Sequence, residues 1–83
     1  MGETEVGTVT HWYAHINVAG VDLSGKLKVG DRIRVKGQTT DFETLVSSIQ
    51  IEHESVEAAG EGVSVGIRLD QRVRLHDRVY RVE

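Results

Sequence analysis

The amino-acid sequence predicts an all-β domain, a small six-stranded closed or nearly closed β-barrel, and three observations carry that expectation. Apolar and polar residues alternate with period two through most of the chain, as where Ile33 and Val35 sit between Arg32, Arg34 and Lys36. Segments of this kind recur about every ten residues between glycine-marked turns, the spacing of small barrels and sandwiches. No window carries the apolar period of a normal helix, and proline, which would interrupt a hydrogen-bonded ladder, is absent. At 83 residues the chain reads as one domain, 6–83, behind a flexible N-terminus at 1–5. A chain of this size buries roughly 60 to 65% of its unfolded surface. Closing the sheet is therefore economical, and it removes the edges at which small sheets aggregate.

The first strand is expected over 6–12, rich in valine and threonine. A turn at 13–15 folds it onto 16–23, where Ile16, Val18, Val21 and Leu23 supply core contacts and a change of phase at Ala19 and Gly20 suggests a bulge. In the glycine-hinged turn that follows, Leu27 and Val29 point inward. The third strand, 32–36, has one dry face and one basic face. A polar loop at 37–41 leads to a long strand at 42–53 with Leu45, Ile49 and Ile51 inward; Ser47 and Ser48 mark a second bulge that leaves Val46 out of phase. The stretch 54–62, with Ala58 and Ala59, is the one place for a short helical turn. Strands at 63–69 and 78–82 complete the sheet. No internal repeat, linker or low-complexity tract is apparent.

The formal net charge of −3 conceals a segregation. Every Lys and Arg lies within 26–36 or 68–81, whereas 37–67 carries Asp41, Glu43, Glu52, Glu54, Glu57 and Glu61 without a basic residue. Two arrangements are consistent with this pattern: opposite charges pairing across neighbouring strands, or a basic face for a partner. For a partner site the candidates are Arg32, Arg34 and Lys36 on one sheet face with Lys26 and Lys28 in the adjoining turn, a row suited to phosphates. The loop beside them adds Thr39, Thr40, Asp41 and Phe42, which can hydrogen-bond and stack on a nucleotide or peptide; the alternative is a polar turn capped by a core Phe42. Trp12 and Tyr13 are strand neighbours and point to opposite faces, so they form no stacking platform.

Four histidines, among them His11, His15 and His53, show no metal-ligand spacing. No nucleophile sits in an ordered catalytic context. The expectation is a binding module rather than an enzyme, with no catalytic residue, metal or cofactor. Absence of cysteine, of a secretory signal and of a membrane-length apolar run points to the cytoplasm.

Several motifs together resemble the second domain of translation GTPases, the β-barrel of elongation factor Tu and its relatives. Gly7-Thr8-Val9 is similar to the family's first-strand Gly-x-Val, and the run from Gly25 through Leu27 to Gly30-Asp31 is similar to its Gly-x-Leu-x-x-Gly-Asp turn. Ser48-Ile49 resembles its fourth-strand Ser-Ile; Ala58, Gly62, Val65 and Gly66 resemble its Ala-x-x-Gly-x-x-Val-Gly block. The final turn departs from the pattern, with His76-Asp77 where the family has Gly-Asp, and histidine tolerates positive φ less readily. The strings 36–42 and 49–53 further resemble a group of stand-alone translation elongation factor-like proteins. The resemblance implies a barrel that contacts tRNA or ribosomal RNA, or else a protein partner as an adaptor unrelated to translation; an unpaired edge strand would allow a homodimer. It implies no GTP hydrolysis, because the Gly-x-x-x-x-Gly-Lys-Ser/Thr phosphate loop is missing. A similar barrel also occurs at the end of collagenase-like peptidases, away from their chemistry.

Overall fold

The structure, a computed structural model, describes residues 2–83; Met1, part of the expected flexible terminus, lies outside them. Ten strands follow one another: β1 (Glu3–Tyr13), β2 (Val18–Leu23), β3 (Leu27–Lys28), β4 (Arg32–Lys36), β5 (Asp41–Leu45), β6 (Ile49–Ile51), β7 (Glu54–Val56), β8 (Ala58–Ala59), β9 (Ser64–Arg68) and β10 (Arg78–Val82). Eight form one sheet in the order β5-β4-β10-β1-β2-β9-β6-β7, and β3 pairs with β8 in a separate ribbon. The all-β expectation is met, with more and shorter strands than six. Part of the stretch assigned to a flexible terminus is strand, since Glu3, Thr4 and Glu5 stand opposite Val82, Arg81 and Tyr80.

The sheet is not closed into a barrel. β5 and β7 end the strand order and do not pair with each other. The reason lies in residues 46–48, which leave the ladder between β5 and β6. There Val46 donates its N–H to the Asp31 carbonyl at 2.9 Å, and its own carbonyl accepts from Gly30 N–H at 2.8 Å. The chain is thereby tied to the turn before β4. The expected strand at 42–53 is therefore two strands, and the expected helical turn at 54–62 is replaced by β7 and β8.

A single apolar cluster joins both halves of the sheet, with Ile33 on β4 and Ile49 on β6 fully buried alongside Leu27, Val9 and Val79. A sheet whose distant strands share one core must curl strongly around it. Each such aliphatic side chain contributes about 1.5–3 kcal/mol on burial.

β1 serves this core through two bulges. Its register slips against β10 between Glu5 and Gly7, and against β2 between Val9 and His11. Each slip adds one residue to the period of two. Val6, Val9 and Trp12, three apart, consequently all turn inward, Trp12 packing against the cluster. The bulge expected at Ala19 and Gly20 thus lies on the partner strand, at Thr10. β2 itself keeps one phase, with Ala19, Val21 and Leu23 buried.

Three residues expected inside are exposed: Ile16 at 52%, Val29 at 40% and Leu45 at 56%. Ile16 lies in the β1–β2 turn, and Val29 in the turn before β4. On β5 it is Phe42 and Thr44 that face inward, which turns Leu45 out opposite Arg32. Val46 lies inward because the strand has ended by then.

An internal repeat, not apparent in the sequence, emerges from the turns. In residues 28–31, Asp31 N–H donates to the Lys28 carbonyl at 3.1 Å, Lys28 N–H donates to Asp31 Oδ2 at 3.0 Å, and Gly30 has φ +95°. In residues 74–77, Asp77 N–H donates to the Arg74 carbonyl at 3.2 Å, Arg74 N–H donates to Asp77 Oδ2 at 2.9 Å, and His76 has φ +74°. Buried Leu27 precedes the first turn and buried Val73 the second, and the strands that follow, β4 and β10, pair antiparallel. Arg34 and Tyr80, equivalent positions in the two units, stand directly opposite each other. A local two-fold axis therefore passes between them.

Candidate functional site

Of the basic row expected on β4, Arg34 and Lys36 are paired with carboxylates. Arg34 donates from Nε to Asp41 Oδ1 at 2.8 Å, from Nη2 to Asp41 Oδ2 at 3.1 Å, and from Nη1 to Glu3 Oε2 at 3.2 Å. Lys36 Nζ lies 3.3 Å from Glu3 Oε1 and 5.5 Å from the Tyr80 ring centroid. The hydrogen bonds from Arg34 hold the Asp41 carboxyl below its ordinary range. Since that folded-state pKa is depressed, the pair's contribution is complete above the usual carboxylate pKa and is lost as pH falls through the lowered value. Arg34, reciprocally, is raised, first by the Asp41 hydrogen bonds and then by those to Glu3. Pairing across strands, the first of the two charge arrangements, is what the fold contains here.

The remaining expected site residues are dispersed. Arg32 is exposed at the start of β4, and among the described residues no carboxylate forms a salt bridge with it or with Lys26 or Lys28. Lys26 and Lys28 border a small cleft of about 340 Å³ with Arg81, Asp31 and Glu83, so two side-chain carboxylates stand among its three cations. Thr40 is buried, 7% exposed, and its carbonyl accepts from Gly37 N–H at 2.7 Å, which is a turn contact; Thr39 is exposed. Phe42 packs against the core, as the capped-turn alternative has it.

A different place has the geometry of a site. On the outer face of the sheet one transverse row runs His11, Gly20, Gly66, Gln50 across β1, β2, β9 and β6. The two central members are glycines directly opposite each other, so the floor of this face is bare backbone. With neighbouring strands about 4.8 Å apart, the walls at His11 and Gln50 stand roughly 14 Å from each other. This width admits an extended polypeptide. The groove encloses about 600 Å³.

Its two ends differ. At one, Tyr13 pairs with Val18 and the exposed Ile16 joins them. The His11 ring meets Tyr13 edge to face, centroids 5.8 Å apart at 89°, and its Nδ1–H donates to the Thr10 carbonyl at 2.7 Å. At the other end Asp22 pairs with Ser64, whose hydroxyl donates to Asp22 Oδ1 at 2.6 Å. Hairpin turns form the rim. Glu52 and His53 between β6 and β7 have φ +51° and +70°, and Asn17 between β1 and β2 has φ +55°. Positive φ at both central residues is the ordinary geometry of a two-residue hairpin loop, and asparagine enters this region readily. Sequence reasoning missed this groove. The available signal was a glycine in the interior of each of two strands, read as a bulge hinge at Gly20 and as a family motif at Gly66.

No protein-family model matches the chain. Among curated proteins it is 44% identical to an uncharacterised protease of Methanocaldococcus jannaschii over 92% of its own length, and 32% identical to a collagenase of Porphyromonas gingivalis over 98%. It spans 19% and 23% of those two proteins, about a fifth of each. Two crystal structures of the C-terminal domain of a Geobacillus thermoleovorans protein assigned to the U32 peptidases superpose with TM-scores of 0.86 and 0.89, covering 90% and 98% of this chain at 17% identity. The fold is that of this peptidase C-terminal domain.

These likenesses correct the translation-side expectations. The chain is similar to proteins named protease and collagenase, not to translation elongation factor-like proteins, so the elongation factor Tu resemblance and the translation-factor binding role fall together. The expectation that the chain is not an enzyme is corrected by the same names, which point to a peptidase family. The residues shared with the translation barrels specify turns and strand packing, and a fold does not carry its function with it.

Proposed function

We propose that this chain is a peptidase-associated domain that binds polypeptide, its groove holding an extended protein segment for a peptidase of the U32 type. The observation that carries this reading is the floor made by Gly20 opposite Gly66, where an incoming backbone can approach the sheet closely. Side chains at those two positions would fill the groove. Apolar contact at Tyr13, Ile16 and Val18 beside polar walls is the usual composition of a binding cleft. The names protease and collagenase, borne by relatives matched over nearly the whole chain, favour a proteinaceous occupant.

The test is Gly66→Val. A Cβ at this position would meet Val18 Cγ1 at 3.2 Å, a contact relieved by a small shift of that side chain. The backbone φ there is not positive, and valine suits a strand. Binding to immobilised gelatin and to unfolded casein is measured by surface plasmon resonance, with thermal unfolding alongside. The expected outcome is about tenfold weaker binding at an unchanged melting temperature, roughly 1.4 kcal/mol. Equal binding by both proteins, or none by either, rejects the reading.

A further inference from the structure

The groove carries a distinctive set of charges. Its lining includes the carboxylates Asp22 and Glu52 and no Lys or Arg, although the chain has ten such residues. The cation nearest by register, Arg68 opposite Val18, lies outside the lining. Asp22 is held on one oxygen by the Ser64 hydroxyl and is exposed, which leaves its other oxygen for a donor from outside. The apolar end at Val18 is four residues from Asp22 along β2, about 13 Å at 3.3 Å per residue. An extended chain lying along β2 and β9 spans the same distance in about four residues, and side chains that far apart leave it on the same face.

We propose that the groove recognises an extended basic segment: an apolar side chain seated on Tyr13, Ile16 and Val18, and a Lys or Arg about four residues away paired with Asp22. This rests on the polypeptide-binding reading above and adds the chemistry of the occupant. A nucleic-acid strand fits poorly, because its phosphates would lie against Asp22 and Glu52 and meet no Lys or Arg in the lining, which holds only His11 and His53 as further titratable nitrogen groups.

The test uses the 83-residue chain and short dye-labelled peptides of glycine and serine carrying one leucine and, about four residues on, lysine, glutamate or serine. Fluorescence polarisation gives their affinities at low and high salt. The lysine peptide is expected to bind roughly fivefold tighter than the serine peptide, the upper end for a partly exposed ion pair, with the glutamate peptide weakest. Asp22→Asn, a surface change, is expected to erase the lysine preference and its salt dependence. Ile16→Ser, also at the surface, is expected to weaken all three peptides alike. If the three peptides bind wild type equally and Asp22→Asn changes nothing, the charge inference fails while polypeptide binding stands. If no peptide binds, or only a labelled single-stranded RNA does, both fail.

Discussion

His76 holds a left-handed backbone, φ +74°, where the equivalent turn has Gly30 at φ +95°. An L-residue in that region costs roughly 1–2 kcal/mol. The turn keeps its shape because Asp77, 4% exposed, accepts the Arg74 N–H, while its own backbone carbonyl accepts from Val9 N–H at 2.8 Å. His76→Gly removes the strain but gives back about 0.5–1 kcal/mol of chain entropy. The variant is therefore expected to be more stable by about 0.5–1 kcal/mol, a rise of a few degrees in melting temperature for a domain of this size. Calorimetry decides it, and a variant no more stable than the parent would mean that the strain is absent. At this scale much of the core was legible. Alternation placed Ile33, Val35, Val65 and Ile67 inward, and all four are buried. It failed at Ile16, Val29 and Leu45, which lie in turns or at the end of a strand, where period two no longer fixes direction, and at Val18, the first residue of β2, which faces the groove.

Within an element, the count of residues between inward side chains matters as much as their identity. Val6, Val9 and Trp12 share the core only because β1 gains one residue in each bulge. Inserting an alanine between His11 and Trp12 keeps the bulge at Thr10 and shifts the register beyond it by one. Trp12 would then turn toward solvent, because a one-residue slip exchanges the two faces of a strand. The expected result is a red-shifted tryptophan emission and a loss of about 1–2 kcal/mol in urea unfolding, the scale for uncovering a partly buried aromatic. An unshifted emission spectrum would show that β1 takes up the extra residue in a further bulge and leaves Trp12 in place. No residue type marks the bulge at Thr10, so the sequence indicated a bulge near the right place but on the wrong strand. The break at 46–48 was half legible: Ser47 and Ser48 read as a bulge inside one strand, because Leu45, Ile49 and Ile51 share one alternation although Leu45 faces outward. β7 and β8 escaped notice because Glu54, Ser55 and the two alanines lack the branched and aromatic residues that announce a strand.

Across the whole molecule, strand order decides both what the sheet exposes and how firmly each part is held. The turns and glycines that suggested a translation-factor barrel are conditions for curling a small sheet, and the chain that carries them superposes on the peptidase C-terminal domain. They therefore spoke to architecture and carried no information about the partner. The groove depends on strands far apart in the chain, β1, β2, β9 and β6, whose juxtaposition no local pattern specifies. In this order β10, β1 and β2 are central, each paired on both sides, whereas β5 and β7 are edges and β7 has three residues. Opening β7 breaks one short ladder and uncovers only the half-buried Val56, while opening β1 dismantles two ladders and exposes Val6 and Val9. Local opening should thus release β7 amides without the rest of the sheet. In native-state hydrogen exchange, β7 amides are expected to exchange at least about a hundredfold faster than those of β1 and β2, an opening free energy lower by about 2.7 kcal/mol. The central amides should exchange only through global unfolding. Equal protection of β7 and β1 would require the two edges to be joined in a closed, fully cooperative barrel, and would overturn the open sheet on which the groove is built.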